Sequence, residues 1–430
     1  MSTAEVNTPQ ACVLVYNPLS GHGHLDSWNA MFISLLLAGG YRVLALTPDV
    51  PALKQRLHLG EQALVSNLEI LDWGVLSPTV TQRIIYKIKR IAAKLKETFT
   101  QTEPAPFEHD PEFNYLEPLE FVTRVHRSLN HTNAKPSLII NMYMDLYRTD
   151  QARWNEAQTY LTQYAVAPWI GLRFIPATNP VEGYYKTPSL RGMCFLDETV
   201  VQSYSHALPE KQFCYLPDIT NTDLPKTEST RAIKIKQLAR GRKIVFMGGT
   251  IGATKNLNKW LSVIECADPA KWFFVQIGEI HQDALNEDDL QAYKKITMAV
   301  PEHLYVESSY LPDERAFNEM IVCADILFAV YRDFKISSNM LGKAAFFKKP
   351  ILVADQYLMG ERVRRYGLGH AVSQDHVAQM YTALDELAAH KLDLAGFNAY
   401  CRDFSQQALR EQLFTMIERC NMAAHERVPV

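Results

Sequence analysis

The sequence predicts an α/β protein made of two successive Rossmann-like domains facing a cleft, with a terminal helix packing back on the first domain. Three observations carry that expectation. Short apolar runs of strand length alternate with amphipathic stretches of helix length. Twice, at residues 12–28 and 243–260, such a run opens into a Gly-rich turn followed by a helical pattern. The chain has 430 residues, about three typical domain lengths, so two cores of roughly 200 residues are expected.

The first run is CVLVY at 12–16, followed by the turn, a helical pattern from Ser27 to Leu37, and RVLAL at 42–46. Strand, tight loop, helix and strand within so short a span make a βαβ unit, which implies a parallel sheet with right-handed crossovers. LEIL (68–71), SLII (137–140), WIGLRFI (169–175) and FCYLP (213–217) continue the pattern. Residues 218–232, DITNTDLPKTESTRA, are rich in Asp, Thr and Pro and read as an interdomain linker. The grammar then restarts with KIVFM (243–247), a helix over 258–266, WFFVQI (272–277), LYV (304–306), DILFAV (325–330) and PILVA (350–354). The last helical pattern, 404–420, puts Leu409, Leu413, Met416 and Ile417 on one face after the second sheet has closed, so the first domain is its expected partner. The expected division is 1–220, 221–400 and 401–430.

A hydrophobic fraction of 47% with 21% charged residues describes a globular chain and excludes intrinsic disorder. Lysine and arginine number 44 against 47 acids, a net charge of -3 that argues against a dedicated nucleic-acid binder. Cysteines at 12, 194, 214, 266, 323, 401 and 420 show no C-x-x-C spacing and read as reduced core residues. The opening MSTAEVNTPQ lacks the basic and apolar regions of a secretory signal, and no apolar stretch reaches membrane-spanning length. The expected location is cytoplasmic.

Three turns carry the candidate chemistry. NPLSGHGHLDSW (17–28) brings His22, His24 and Asp26 to the mouth of a strand-to-helix turn, where an imidazole can serve as general base and Asp26 is expected to cap the helix. It lacks the third glycine of a dinucleotide fingerprint, and no acid follows the second strand before Asp49. FMGGTIGATKNLNKW (246–260) is the strongest local signal: glycines, threonine hydroxyls and Lys255 between strand and helix suit a phosphate group, with Gly249, Thr250, Lys255 and Asn256 as candidates. Without a G-K-[ST] ending it is not a P-loop. In YRDFKISSNMLGK (331–343), Lys335, Ser337, Ser338 and Asn339 stand at a helix start, a second anion site that with the first would suit a diphosphate; simple N-capping by Ser338 or Asn339 is the plain alternative. Separately, 79–99 is an amphipathic helix whose Ile84, Ile88, Ile91 and Leu95 stripe is bordered by Arg83, Lys87, Arg90 and Lys94. That pattern suits peripheral contact with an anionic membrane, or a core stripe with a solvated rim.

These residues together resemble the GT-B glycosyltransferases. The likeness lies in the Gly-His turn, the Gly-rich loop with its lysine, and the stretches LGKAAFFKKPILVAD (341–355) and GERVRRYGLGHAV (360–372); it covers nearly all of the second domain and the opening turn of the first. The branch it most resembles carries two glutamates eight positions apart, and the aligned residues here are Lys335 and Lys343; the branch's arginine is here Gly249. The resemblance implies transfer of a sugar from a nucleoside-diphosphate donor to an acceptor hydroxyl, with no cofactor and no metal. Lys255, Ser337 and Lys343 would stabilise the leaving diphosphate, and Tyr310 in SYLP would pack around the base. On the acceptor side His24 is the first candidate base, followed by His22 and by Asp145 in NMYMDLYRTD, while Asp26, Arg173 and Glu198 would line the acceptor cleft or form structural ion pairs. The implied partners are a nucleoside-diphosphate sugar and an unidentified acceptor, lipid-linked or polysaccharide, with membrane contact through 79–99 and no nucleic acid. A sugar-nucleotide epimerase or hydrolase of the same fold, and a catalytically degenerate nucleotide-sugar-binding protein, are the alternatives.

Overall fold

The computed structural model describes residues 11–20, 25–57, 66–73, 116–147, 149–176, 183–389 and 392–425. The helical pattern at 79–99 and the histidines His22 and His24 lie outside the described residues. The chain forms two compact units, Met1–Tyr215 with Gln412–Val430, and Leu216–Glu411.

In the first unit, β1 (Cys12–Tyr16), β2 (Arg42–Thr47), β3 (Leu68–Asp72), β4 (Leu138–Asn141), β5 (Trp169–Arg173), β6 (Leu190–Phe195) and β7 (Gln212–Tyr215) form one sheet in the order β3-β2-β1-β4-β5-β6-β7. Every pairing is parallel. Val13, Leu14, Val15 and Tyr16 are all fully buried, as β1 must be when helices cover both faces, which is why it reads as an unbroken apolar run. β6 is not such a run, because Arg191 and Gly192 interrupt LRGMCF. The glycine is needed there: a Cβ would come within 2.1 Å of the Gln212 carbonyl oxygen and 2.4 Å of Met416 Cε.

Met416 belongs to the final helix, Gln406–His425, whose residues from Gln412 onward fall in the first unit. Phe414 meets the Tyr41 ring edge-on at 5.4 Å, and Leu409, Leu413, Met416, Ile417 and Cys420 are buried. Cys194 and Cys214 sit side by side on β6 and β7 with sulfurs 3.4 Å apart and unbonded, and both are buried, whereas Cys266 is exposed and so departs from the expected core placement.

In the second unit, β8 (Lys243–Gly248), β9 (Trp272–Ile277), β10 (Leu304–Glu307), β11 (Ile326–Ala329), β12 (Ile351–Ala354) and β13 (Gly369–Val372) form a parallel sheet in the order β10-β9-β8-β11-β12-β13. One face is packed by Trp260, whose ring lies 5.3 Å from Phe274 and 4.9 Å from Phe328. β13 is only GHAV, four half-buried residues, too short and too polar to stand out. Residues 218–232 are not a free linker. Asn318 donates to the Asn221 and Asp223 carbonyls at 3.1 and 2.8 Å, Ser337 donates to Asp218 at 3.0 Å, and Ser229 caps a helix from Thr230 to Ala239. Polar side chains do the anchoring, so the absence of apolar residues misleads.

Among the described residues no helix is long and apolar enough to cross a membrane. At the end of β10, Glu307 accepts both prongs of the Arg231 guanidinium at 2.7 and 2.9 Å, and this pairing holds its carboxyl down at about 2, from an ordinary value of 4.5. A carboxylate lowered in the folded state contributes stability above its ordinary pKa and loses it as pH falls towards the lowered one. Between pH 4.5 and about 2 the folded protein should therefore lose stability partly through Glu307. Denaturant titrations across that window should show a shallower acid limb in Arg231→Met; an unchanged limb would remove the pair from the account.

Candidate functional site

In a doubly wound parallel sheet, ligands sit beyond the carboxyl ends of the strands, at the crevice where strand order reverses. The second sheet reverses between β8 and β11. The residues leaving these two strands are Gly248–Gly249 on one side and Val330–Tyr331–Arg332 on the other.

Two amides of the Gly-rich loop, those of Gly249 and Ile251, are taken up by backbone pairing. Gly249 N–H donates to the Ile277 carbonyl at 3.1 Å, Ile251 N–H to Glu279 at 2.8 Å, and His281 N–H returns to Ile251 at 3.0 Å, so the loop stays zipped to the extension of β9. Gly249 holds φ at +92°, and its carbonyl lies where a Cβ on Gly278 would stand, at 1.8 Å, so both glycines are required for this close approach. Beside these paired amides the loop carries one positive charge. Lys255, at the end of a 3-10 turn (Ala253–Lys255), supplies it. Its Nζ donates to the Gly248 carbonyl at 3.2 Å and to Tyr331 Oη at 2.8 Å, and stands 4.0 Å from the centroid of the Tyr331 ring. Thr250, in the same loop, is exposed.

Asn256, expected on the ligand, is built into the support. It is 1% exposed, sits in the left-handed region at φ +58°, donates from Nδ2 to the Gln374 carbonyl at 2.8 Å and accepts Arg332 Nη2 on Oδ1 at 2.8 Å. The Arg332 guanidinium also reaches the Ala253 carbonyl, Asn258 Oδ1 and the buried Asp289 carboxylate, the last at 2.6 Å. Asp333 follows in the left-handed region at φ +48°, its amide and carboxylate both bonded to the Gln374 side chain. Tyr331, Arg332, Asp289 and Gln374 were not among the sequence candidates. Arg332 could have been noticed as the residue leaving a strand in YRDF, but Asp289 lies in NEDDL, which reads as an ordinary acidic first helical turn.

The third cluster divides. Ser338 is the N-cap of the helix Asn339–Phe347, accepting from Met340 N–H at 3.3 Å, and Asn339 is the first residue of that helix. Ser337 accepts from Arg362 at 2.6 Å and donates to Asp218. The Lys335 ammonium lies 5.7 Å from the Tyr357 ring, and Tyr357 itself holds φ +58°, a conformation costly for an aromatic residue. Lys343 is completely buried, bonded to Glu314 at 2.6 Å, to Asn318 and to the Asn221 carbonyl, and burial lowers its pKa. Its bonds join the helices Glu314–Cys323 and Asn339–Phe347 to the 216–229 segment, which gives it structural partners. Tyr310 is 67% exposed.

The first sheet reverses between β1 and β4. Asn17, Asp26, Asn29 and Asn141 are buried there, a polar patch in an otherwise apolar core. Asp26 does not take the N-cap position. It lies inside the first turn of the helix Leu25–Ala38, where the helix dipole favours a carboxylate, and accepts from Ser20 Oγ at 2.9 Å and Asn17 Nδ2 at 3.4 Å. Asp145 and Arg173, expected as base and cleft residue, face each other at 3.8 Å. Both Asp145 oxygens accept backbone amides, of Phe174 and Ile175 at 2.8 Å each, while Arg173 bonds Tyr184 and the Ile175 carbonyl. Burial raises the Asp145 pKa against the pull of Arg173. This is a clasp on the exit of β5. Glu198 is half-buried in a 3-10 turn (Glu198–Val200) after β6.

Solved structures decide the fold. A glycosyltransferase from Rickettsia africae matches with a TM-score of 0.61 at 11% identity, over 95% of this chain and 98% of that one. This chain has the GT-B fold. An α,α-trehalose-phosphate synthase (UDP-forming) from Burkholderia vietnamiensis gives a TM-score of 0.58 at 12% identity, over 95% and 100% of the two chains. HepE of Anabaena, solved in complex with UDP, gives 0.57 at 12%, again over 95% and 100%. No family's sequence pattern and no curated protein matches the GT-B chain described here.

Because the Lys343 bonds are structural, Lys343→Met should lower unfolding free energy by about 1–3 kcal/mol, the usual cost of leaving buried polar partners unmet, without changing nucleotide affinity. Denaturant titration and calorimetry check the two halves, and a loss of nucleotide affinity would return Lys343 to the site.

Proposed function

We propose that the protein is a glycosyltransferase that takes a sugar from a nucleoside diphosphate and delivers it to an acceptor hydroxyl. The observation that carries the reading is the Lys255 ammonium, fixed at the reversal point of the second sheet in a chain of GT-B fold. In such a transfer the diphosphate gains negative charge as the glycosidic bond to it breaks, and a cation already in place stabilises that charge without reorganising. Thr250, Lys335, Ser337 and the start of the helix Asn339–Phe347 are the further groups proposed to face the donor, with Tyr310 offered to the base. The buried Asn17, Asp26, Asn29 and Asn141 patch supplies amides and a carboxylate of the kind that recognise hydroxyls, and is proposed for the acceptor side. With both Asp145 oxygens on backbone amides, proton abstraction is proposed for the histidines of the NPLSGHGHLDSW stretch, His24 before His22.

UDP and UDP-sugars are the first donors to try, since HepE was solved with UDP and a similar E. coli structure, described as trehalose-6-phosphate, with UDP-2-fluoro glucose. Lys255→Ala should weaken nucleoside-diphosphate binding by about 1.5–3 kcal/mol, the range for a charge-assisted contact, and transfer should fall with it. Isothermal titration together with product analysis reads both; unchanged affinity would remove Lys255 from the donor site. Transfer in the presence of EDTA should equal that in its absence if lysine carries the charge, and a loss reversed by added magnesium would contradict a metal-independent reaction.

A further inference from the structure

We propose that Tyr331 is a positioning residue, holding the Lys255 ammonium at the mouth of the β8/β11 crevice, while Arg332 beside it fixes the loop from which the lysine rises. This rests on the reading of that crevice as a diphosphate site.

A lysine carries its charge on a flexible four-carbon stem, and a ligand that must first immobilise the stem binds more weakly for it. Here the stem is immobilised in advance. Two of the three ammonium protons are taken, by the Gly248 carbonyl on the strand the lysine follows and by Tyr331 Oη on the exit of the neighbouring strand. The Tyr331 ring adds its face, 4.0 Å from centroid to Nζ. The remaining direction is bordered by Gly249, where even a Cβ would stand only 3.8 Å from Nζ, so a longer side chain at this position would cover the charge. Tyr331 is 4% exposed and its ring packs edge-on to Phe334 at 5.2 Å, so the hydroxyl is itself held.

Arg332 acts on the backbone of the same loop. Its amide donates to the Thr254 carbonyl at 2.8 Å and its guanidinium reaches the Ala253 carbonyl, Asn256 and Asn258. The completely buried Asp289 accepts that guanidinium and also Asn258 N–H, at 2.8 Å, tying the loop's far end to the same point. Two consecutive residues leaving β11 thus set the lysine from both sides, one at the tip of the side chain and one at its root.

Tyr331→Phe keeps the ring and removes only the hydroxyl, so it is the informative variant, with UDP and uridine as probes. UDP affinity should fall about ten-fold, one hydrogen bond to a charged group, while uridine affinity and the unfolding midpoint stay as in the parent. Adding Tyr331→Phe to Lys255→Ala should cost nothing further, because the hydroxyl works through the ammonium. Equal losses for UDP and uridine, or a full additional loss in the double variant, would overturn the positioning role. If the parent binds UDP and Lys255→Ala weakens this while Tyr331→Phe leaves it unchanged, only the tyrosine inference fails. If no nucleoside diphosphate binds the parent at all, the reading of the site fails with it.

Discussion

The ion pair between Arg332 and the buried carboxylate of Asp289 is the constraint on which the second unit's site depends. A carboxylate with no exposure is costly unless it is paired and hydrogen-bonded, and Asp289 is both, through the guanidinium and the Asn258 amide. The guanidinium spends its other donors on the Gly-rich loop. One pair, with its carboxylate buried, therefore determines where residues 253–258 lie, and with them where Lys255 begins. Removing either partner would strand the other's charge and free the loop, so the pair does more for geometry than its net energy suggests.

Around that anchor the site divides its labour between backbone and charge. Loops that hold phosphate by amides alone keep those amides open, whereas here the amides of Gly249 and Ile251 continue the ladder with the β9 extension. The ladder ties the turn to β9, and the charge proposed to meet an anion is a lysine held from both sides of the crevice. Left-handed backbone at Asn256, Asp333 and Tyr357, on the exits of three neighbouring strands, β8, β11 and β12, follows the same logic: strained residues persist where surrounding bonds over-determine them, and such places cluster at ligand sites.

Much of this was legible in the amino-acid order. Strands buried on both faces read as continuous apolar runs, so β1, β2, β8, β9, β11 and β12 stand within a residue or two of where the runs place them. β6 and β13 were not legible, because Gly192 and the GHAV stretch are set by close approach and by an edge position that periodicity does not encode. The place of Lys255, on a Gly-rich turn between strand and helix, was legible from the sequence, and its role toward a ligand rests on the proposal above. The partners of Lys343 and Asn256 were not legible: their positions in the chain suit a ligand, and the donors and acceptors that hold them come from residues 314, 318, 332 and 374, far off in the chain. Arg332 and Asp289 stayed hidden because their pairing spans 43 positions.

The central claim is that the β8/β11 crevice of this GT-B chain binds a nucleoside diphosphate through its phosphates. A thermal-shift panel of UDP, GDP, dTDP, CDP and ADP, each beside its parent nucleoside and with NAD as control, tests it most directly, since a ligand that binds only the folded state raises the midpoint. The account predicts that one diphosphate raises the midpoint in a concentration-dependent way while its nucleoside and NAD raise it far less. A shift with NAD alone, or none with any diphosphate, would contradict it.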